Sequence, residues 1–455
     1  MEKKFSDVVA ILVISLFVFV SSTVAQKASP FLKIAQQTGV TITEDGGVRI
    51  WEGPFTGKMK PNGPLVGKTI GVLVASEFSD FQAYYIASYA SEFGGKVEFL
   101  LVDWVKWKFT RPNVRDKGIL GMWGLSVDPM PVMDTRHTWK VLDEAEPKDY
   151  DALVILGGHS SDIMMTEEKV IDFIKDVYGK GAFIGAIGGG SIPMITAGIM
   201  NGVSATGNNT VSFMLKKIGK FKDAPVVRDG QVITARNTVD TPAFVRALCQ
   251  AFDTNFVPER KGVLAGKRVL MIAGEDFEDI ELAVPVMEYI YRGASVTLAT
   301  FQPPIRSRPP MLGLDVVQGN FGISVPLQEI PLKYYKIIKL SRVRMRNFDV
   351  VQIPGAFCPW NMMLAEEPVK FLKKANEAGK IIAAICHAPI PLAAADLVKG
   401  KKIAAWKASK DAVEIMGGTY NWDWSAVIDG SIVTGRVPSD VPEFLDAVTE
   451  ALLSQ

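Results

Sequence analysis

Short runs of Ile, Val and Ala, bounded by polar or glycine-rich stretches, recur along the chain, and two of them nearly coincide. One is Lys380-Ile-Ile-Ala-Ala-Ile-Cys-His-Ala-Pro389; the other is Ala182-Phe-Ile-Gly-Ala-Ile-Gly-Gly-Gly-Ser191. A run of this kind reads as a strand buried on both faces of a parallel sheet. In the C-terminal part the pattern predicts strands at 269–273, 295–300, 350–353 and 381–385. Between and after them it predicts helices at 279–292, 366–378 and 387–397, with a loop-rich insert at 301–347. The 279–292 helix carries apolar residues at Ile280, Val284, Met287 and Tyr291. A hairpin is expected at Asp429-Gly430, a common turn pair. Such alternation predicts the α/β class, a mostly parallel sheet with helices on both faces.

The near-repeat extends well beyond these two runs. Gly188 and Cys386 stand 198 positions apart, and the same offset aligns Tyr150-Asp-Ala-Leu-Val-Ile-Leu-Gly157 with Phe348-Asp-Val-Val-Gln-Ile-Pro-Gly355. It also aligns Gly121-Met-Trp-Gly-Leu-Ser-Val127 with Gly319-Asn-Phe-Gly-Ile-Ser-Val325. Solenoid repeats have periods of roughly 20–50 residues, so the repeating unit here is a whole domain. The boundaries expected are a leader at 26–66, a first domain at 67–252, a linker at 253–265 and a second domain at 266–455.

Composition narrows the class. The chain has 455 residues, 48% hydrophobic and 22% charged, with formal net charge +1. That supports two sizeable cores and shows no basic face for nucleic acid. Lys3-Lys4, an apolar run from Val8 to Val20 and Ser21-Ser-Thr-Val-Ala25 have the three parts of a secretory signal peptide, expected at 1–25. The run is shorter than the ~20 residues that span a bilayer. A secreted or periplasmic protein with no stable membrane span after cleavage is the expectation, with the leader draped on the first domain. His137 and His159 do not pair with cysteines at metal-ligand spacing, so neither a metal nor another cofactor is expected.

The chemistry concentrates at Cys386. It ends a buried strand and opens a helical turn, the position of a nucleophile on a strand-to-helix elbow, where helix amides favour a thiolate. Ala-Ala-Ile-Cys-His-Ala-Pro, with Ile-Pro-Gly at 353–355 and Glu-Asp-Phe-Glu-Asp-Ile-Glu-Leu at 275–282, resembles the ThiJ/PfpI family. This is a flavodoxin-like group of the class I glutamine amidotransferase superfamily. The resemblance covers 267–455 closely and 67–252 more loosely. It implies Cys386 as nucleophile and Glu281 as its hydrogen-bonding acid, with an oxyanion hole from the amide of His387 and that of Gly355 or Ala356. His387, directly after the nucleophile, completes the candidate catalytic set as an acid or base if its ring turns into the site. Glu278 is the next candidate carboxylate; both it and Glu281 also fit as first-turn helix acids favoured by the dipole.

In the first half the cysteine, histidine and glutamate become Gly188, Gly189 and Gln82, which marks that copy as a disarmed partner pairing with its twin. The Gly188–Gly190 run leaves open an anion cradle. Cys249 reads as a core residue. Cys358, three residues past Gly355, is a candidate resolving thiol on the loop beside the site. Phe357, Trp360, Trp406, Trp422 and Trp424 are candidate pocket aromatics. The chain departs from the protease-like branch of the family at Trp360, where an acid is expected, and at Ala356 and Ala388, where glycine is usual. The resemblance therefore implies, first, a glyoxalase III or deglycase-like lyase, or a hydrolase, acting on a small carbonyl or acyl substrate. A redox-sensing or chaperone-like protein using Cys386, and a PfpI-like cysteine peptidase, are the alternatives. A homo-oligomer is left open.

Overall fold

The structure, a computed structural model, describes residues 41–52, 62–102, 119–124, 137–258, 260–304 and 316–455. The signal-peptide segment and the start of the leader lie outside the described residues. Each half is built on one twisted sheet. In the first, a seven-stranded sheet runs in the order Val226–Asp229, Val232–Ala235, Phe183–Ile187, Ala152–Ile155, Thr69–Val74, Lys96–Leu101, His137–Val141. The second repeats this order with Trp424–Asp429, Ile432–Gly435, Ile381–Ile385, Val350–Ile353, Arg268–Ala273, Ser295–Thr300 and Tyr335–Lys339. The strands pair in parallel except for the hairpin strand at one side of each sheet. Both halves are thus flavodoxin-like α/β sheets. The strand order reverses beside Arg268–Ala273, and the crevice outside the carboxyl ends of the strands there is where such sheets bind ligands.

The expected core elements are present; the insert expected to be loop-rich also holds the edge strand Tyr335–Lys339, whose mostly exposed residues lack a continuous apolar run, and three other differences have physical causes. The helix expected at 387–397 is shorter, Pro389–Ala394, because residues 386–388 are used in the turn itself. Cys358 is not on a loop but begins the helix Cys358–Ala365. The third difference concerns the leader. Residues 41–52 form a hairpin, Thr41–Asp45 with Val48–Glu52, that pairs with Trp424–Asp429 of the second half, while only the end of the leader lies on the first domain, where buried Leu65 donates its N–H to Phe93 O at 3.0 Å. Trp424–Asp429 would otherwise be an open edge with unpaired amides. Trp51 is 2% exposed there, Ser425 Oγ donates to its carbonyl at 3.0 Å, and Arg49 pairs with Glu450. These partners are too distant in sequence for local pattern to predict.

The two halves meet through equivalent 13-residue helices, Asp80–Glu92 and Asp279–Tyr291. Every residue of the first is buried, because one face packs on its own sheet and the other on the twin. Polar groups sealed in this contact are paired. Glu288 accepts from Arg246 at 2.6 Å, Tyr85 at 2.5 Å and Arg292 at 3.0 Å. Arg292 also donates to Asp446 at 2.8 Å, to Thr449 at 2.6 Å and to the Leu445 carbonyl at 2.9 Å. Among the described residues no helix is long and apolar enough to cross a membrane.

Candidate functional site

Cys386 has φ +64°, the left-handed region that non-glycine residues avoid. The surroundings hold it there: its N–H donates to Gly435 O at 3.0 Å, and its carbonyl accepts from Trp406 N at 2.9 Å and Ser409 Oγ at 3.2 Å. Strain so restrained is typical of a nucleophile elbow. The side chain is 5% exposed and lies beside three of the groups anticipated from sequence.

Glu281 comes from the first turn of the helix after Arg268–Ala273, and its carboxyl interacts with the Cys386 thiol. The Gly355 amide donates to Glu281 Oε2 at 2.6 Å. Glu281 Oε1 has no conventional partner. Burial pushes this carboxyl up to about 8, against the pull of the Gly355 amide and the thiol, so it keeps its proton at neutral pH. His387 Nδ1 lies 3.3 Å from the Cys386 sulfur, and burial lowers its imidazole below the usual value. The site at neutral pH is therefore a thiol between a protonated acid and an uncharged ring.

The backbone divides the work between two neighbouring amides. Gly355, one of the two oxyanion candidates, spends its N–H on Glu281. The N–H groups of Ala356 and His387 are the ones that reach the sulfur. A Cβ at Gly355 would stand 2.6 Å from Cys386 Cβ and 2.9 Å from Glu281 Oε2, so only glycine fits between acid and thiol. Burial pushes the Cys386 thiol up, ionised Glu281 and Glu278 would push it further, and the two amides pull it down. The expectation that helix amides favour the thiolate left out the burial of the sulfur, the larger effect.

Glu278 is placed elsewhere in the motif. It caps the helix, its Oε2 accepting from Glu281 N at 2.8 Å, and Ser79 does the same for Gln82 N at 3.3 Å in the first half. Cys358 is fully buried, its sulfur accepting from Gly274 N at 3.3 Å, and burial pushes it up to about 12. Cys249 is also buried. All three cysteines are free. Of the aromatics, Trp406 lies 6.2 Å from the His387 ring and 5.7 Å from Trp422, centre to centre. Phe357 and Trp360 are exposed and Trp424 is buried under the N-terminal hairpin strand. Trp406 and Ser409, which pin the elbow carbonyl, were not singled out for that role from sequence; nothing in their spacing marks it.

The corresponding place in the first half holds a cavity lined by Gln82, Gly157, Gly158, Gly188 and Gly189. Gly188 keeps the left-handed turn at φ +58°. Gln82 Oε1 accepts from Gly157 N at 2.8 Å, as Glu281 does from Gly355.

Comparison with known proteins matches this chain twice to one family. The model of the DJ-1/PfpI family fits residues 68–251 and again 267–451. Protein DJ-1 homolog D of Arabidopsis thaliana is 27% identical over 318 residues, 68% of this chain and 79% of that one. A deglycase of Pyrococcus horikoshii is 28% identical over 175 residues, 38% of this chain and 92% of its own. Among solved structures, DJ-1beta of Drosophila melanogaster is 26% identical with a TM-score of 0.34, covering 42% of this chain and 91% of that one.

Proposed function

The chain belongs to the DJ-1/PfpI family, and from that premise we propose that its second half carries out cysteine-dependent chemistry on a small 2-oxoaldehyde. The observation that carries this reading is the convergence on one sulfur of the Glu281 carboxyl, the His387 ring and the amides of Ala356 and His387. The name deglycase attached to a relative points the same way.

A substrate aldehyde would enter beside Cys386 with its oxygen toward the Ala356 and His387 amides, which stabilise charge as it develops on that oxygen. Cys386 gives its proton to His387 Nδ1 and its sulfur bonds to the aldehyde carbon. The oxygen takes a proton, giving a hemithioacetal. The neutral His387 ring then takes the hydrogen on that carbon as a proton and returns it to the neighbouring carbonyl carbon, while protonated Glu281 gives its proton to the neighbouring oxygen and recovers one from the hydroxyl of the hemithioacetal. The aldehyde carbon is oxidised and its neighbour reduced, so no outside oxidant is needed. Water cleaves the resulting thioester, restoring the thiol and releasing a 2-hydroxy acid. Export is part of the proposal and rests on the composition of residues 1–25.

The test is turnover of glyoxal and substituted 2-oxoaldehydes by the mature chain, with hydroxy-acid product measured directly. Product formation that falls to background in Cys386→Ala is expected. A wild-type protein that yields no hydroxy acid from any of them would overturn the reading.

A further inference from the structure

The first half has lost its reactive groups but not its site. All five positions equivalent to Glu281, Gly355, Ala356, Cys386 and His387 line one cavity of about 710 Å³, within the ordinary range of small-molecule sites. The backbone that shapes the active copy is retained. Gly188 turns at φ +58° against +64° at Cys386. The bridge between Phe78 and Gly158 matches that between Phe277 and Ala356. A Cβ at Gly189 would meet nothing closer than 3.4 Å, so the floor where an imidazole stands in the other copy is open.

The walls combine amide, hydroxyl and charged groups, with Asp223 and Glu329 the carboxylates among them. Gln82 replaces an acid with a neutral amide, held at both ends by Gly157 N at 2.8 Å and Thr238 Oγ1 at 2.9 Å. Lys216 and Lys333 stand at the cavity and have no ion-pair partner among the described residues; each lies 5.0 Å from an aromatic ring, Phe221 and Tyr334. Arg236 is already engaged by Asp223 at 2.8 Å and Asp240 at 3.5 Å. Asn208, Thr210 and Thr238 add hydrogen-bonding groups. The second half closes the wall with Glu329, which accepts from Ser79, from Thr238 at 3.0 Å and from Trp123 Nε1 at 3.1 Å.

We propose that this cavity is a second, non-covalent binding site, for a hydroxylated carboxylate. The two lysines supply charge for the carboxylate, and the amide and hydroxyl groups match the ligand's hydroxyls. With glycine in place of the nucleophile, the ligand is held and not transformed. The site does not depend on Cys386, so its test is separable from that of the activity proposed above.

The experiment is calorimetric titration of the full mature chain carrying Cys386→Ala with lactate, gluconate and inorganic phosphate. Saturable binding of lactate or gluconate is expected, weakened at least tenfold by Lys216→Glu with Lys333→Glu. Both lysines are exposed, so this variant should melt where its parent does. Absence of saturable carboxylate binding would overturn the proposal. So would binding indifferent to the double reversal, or binding of phosphate alone.

Discussion

At Cys386 a side chain occupies a backbone conformation that its twin fills with glycine, and the difference should be measurable as strain. A non-glycine residue in the left-handed region costs roughly 1–2 kcal/mol. Cys386→Gly is therefore expected to be about 1 kcal/mol more stable than Cys386→Ala in urea unfolding, since only glycine relaxes the turn. Gly355→Ala should act oppositely. Its new methyl meets both Cys386 and Glu281, so it should lose about 1–3 kcal/mol and slow alkylation of Cys386. Glu281 makes a pH prediction. Its folded value of about 8 lies above the 4.5 of an ordinary glutamate. The folded state thus holds the extra proton, and stability present below pH ~4.5 is lost as pH rises through about 8. At about 1.4 kcal/mol per unit the loss amounts to a few kcal/mol. Glu281→Gln should flatten that decline, and a wild-type unfolding free energy level from pH 5 to 8 would show the carboxyl is not held protonated. Cys386, Glu281 and Gly355 were legible because each sits in a dense local motif. The division of labour between the Gly355 and Ala356 amides was not, since it turns on which way two successive peptide planes point.

The paired helices Asp80–Glu92 and Asp279–Tyr291 concentrate the charge chemistry of the interface. Burial would raise the Glu288 carboxyl, but Arg246 and Arg292 hold it down at about 2. Its contribution is therefore present above pH ~4.5 and lost as pH falls toward 2, about 3 kcal/mol for a shift of this size. Glu288→Ala leaves the buried Arg246 guanidinium without its carboxylate and Arg292 with Asp446 alone, and should cost about 3–5 kcal/mol, read from denaturant midpoints at pH 7. Both helices were expected from periodicity and the duplication. Their role as the seam between halves was not, because Tyr89 in one copy stands where Glu288 stands in the other, and neither residue alone signals a partner.

The whole molecule is two copies of one sheet whose cross-connections are unequal. The duplication followed from the aligned blocks and the parallel sheet from its inner strands, since parallel strands buried on both faces have a nearly continuous apolar signature; the largely exposed edge strand Tyr335–Lys339 has none. Two crossings did not follow. Glu329 of the second half reaches the first half's cavity, and the N-terminal hairpin leaves its own half to cap the second sheet. Both are long-range pairings between segments with no special local pattern. The hairpin has a consequence for how the chain is made. Trp51 and Ser425, which touch in the finished protein, are 374 positions apart in the hydrogen bond that joins them. Synthesis proceeds from the N-terminus at roughly 5–20 residues per second, so the hairpin must wait on the order of twenty seconds or more for its strand to exist. During that interval the first half can fold, while Val48–Glu52 lacks its partner strand and is available to chaperones or to another chain's sheet edge. A chain beginning at residue 62 should then display the Trp424–Asp429 edge permanently, and light scattering on refolding should show it associating where the longer chain stays monodisperse.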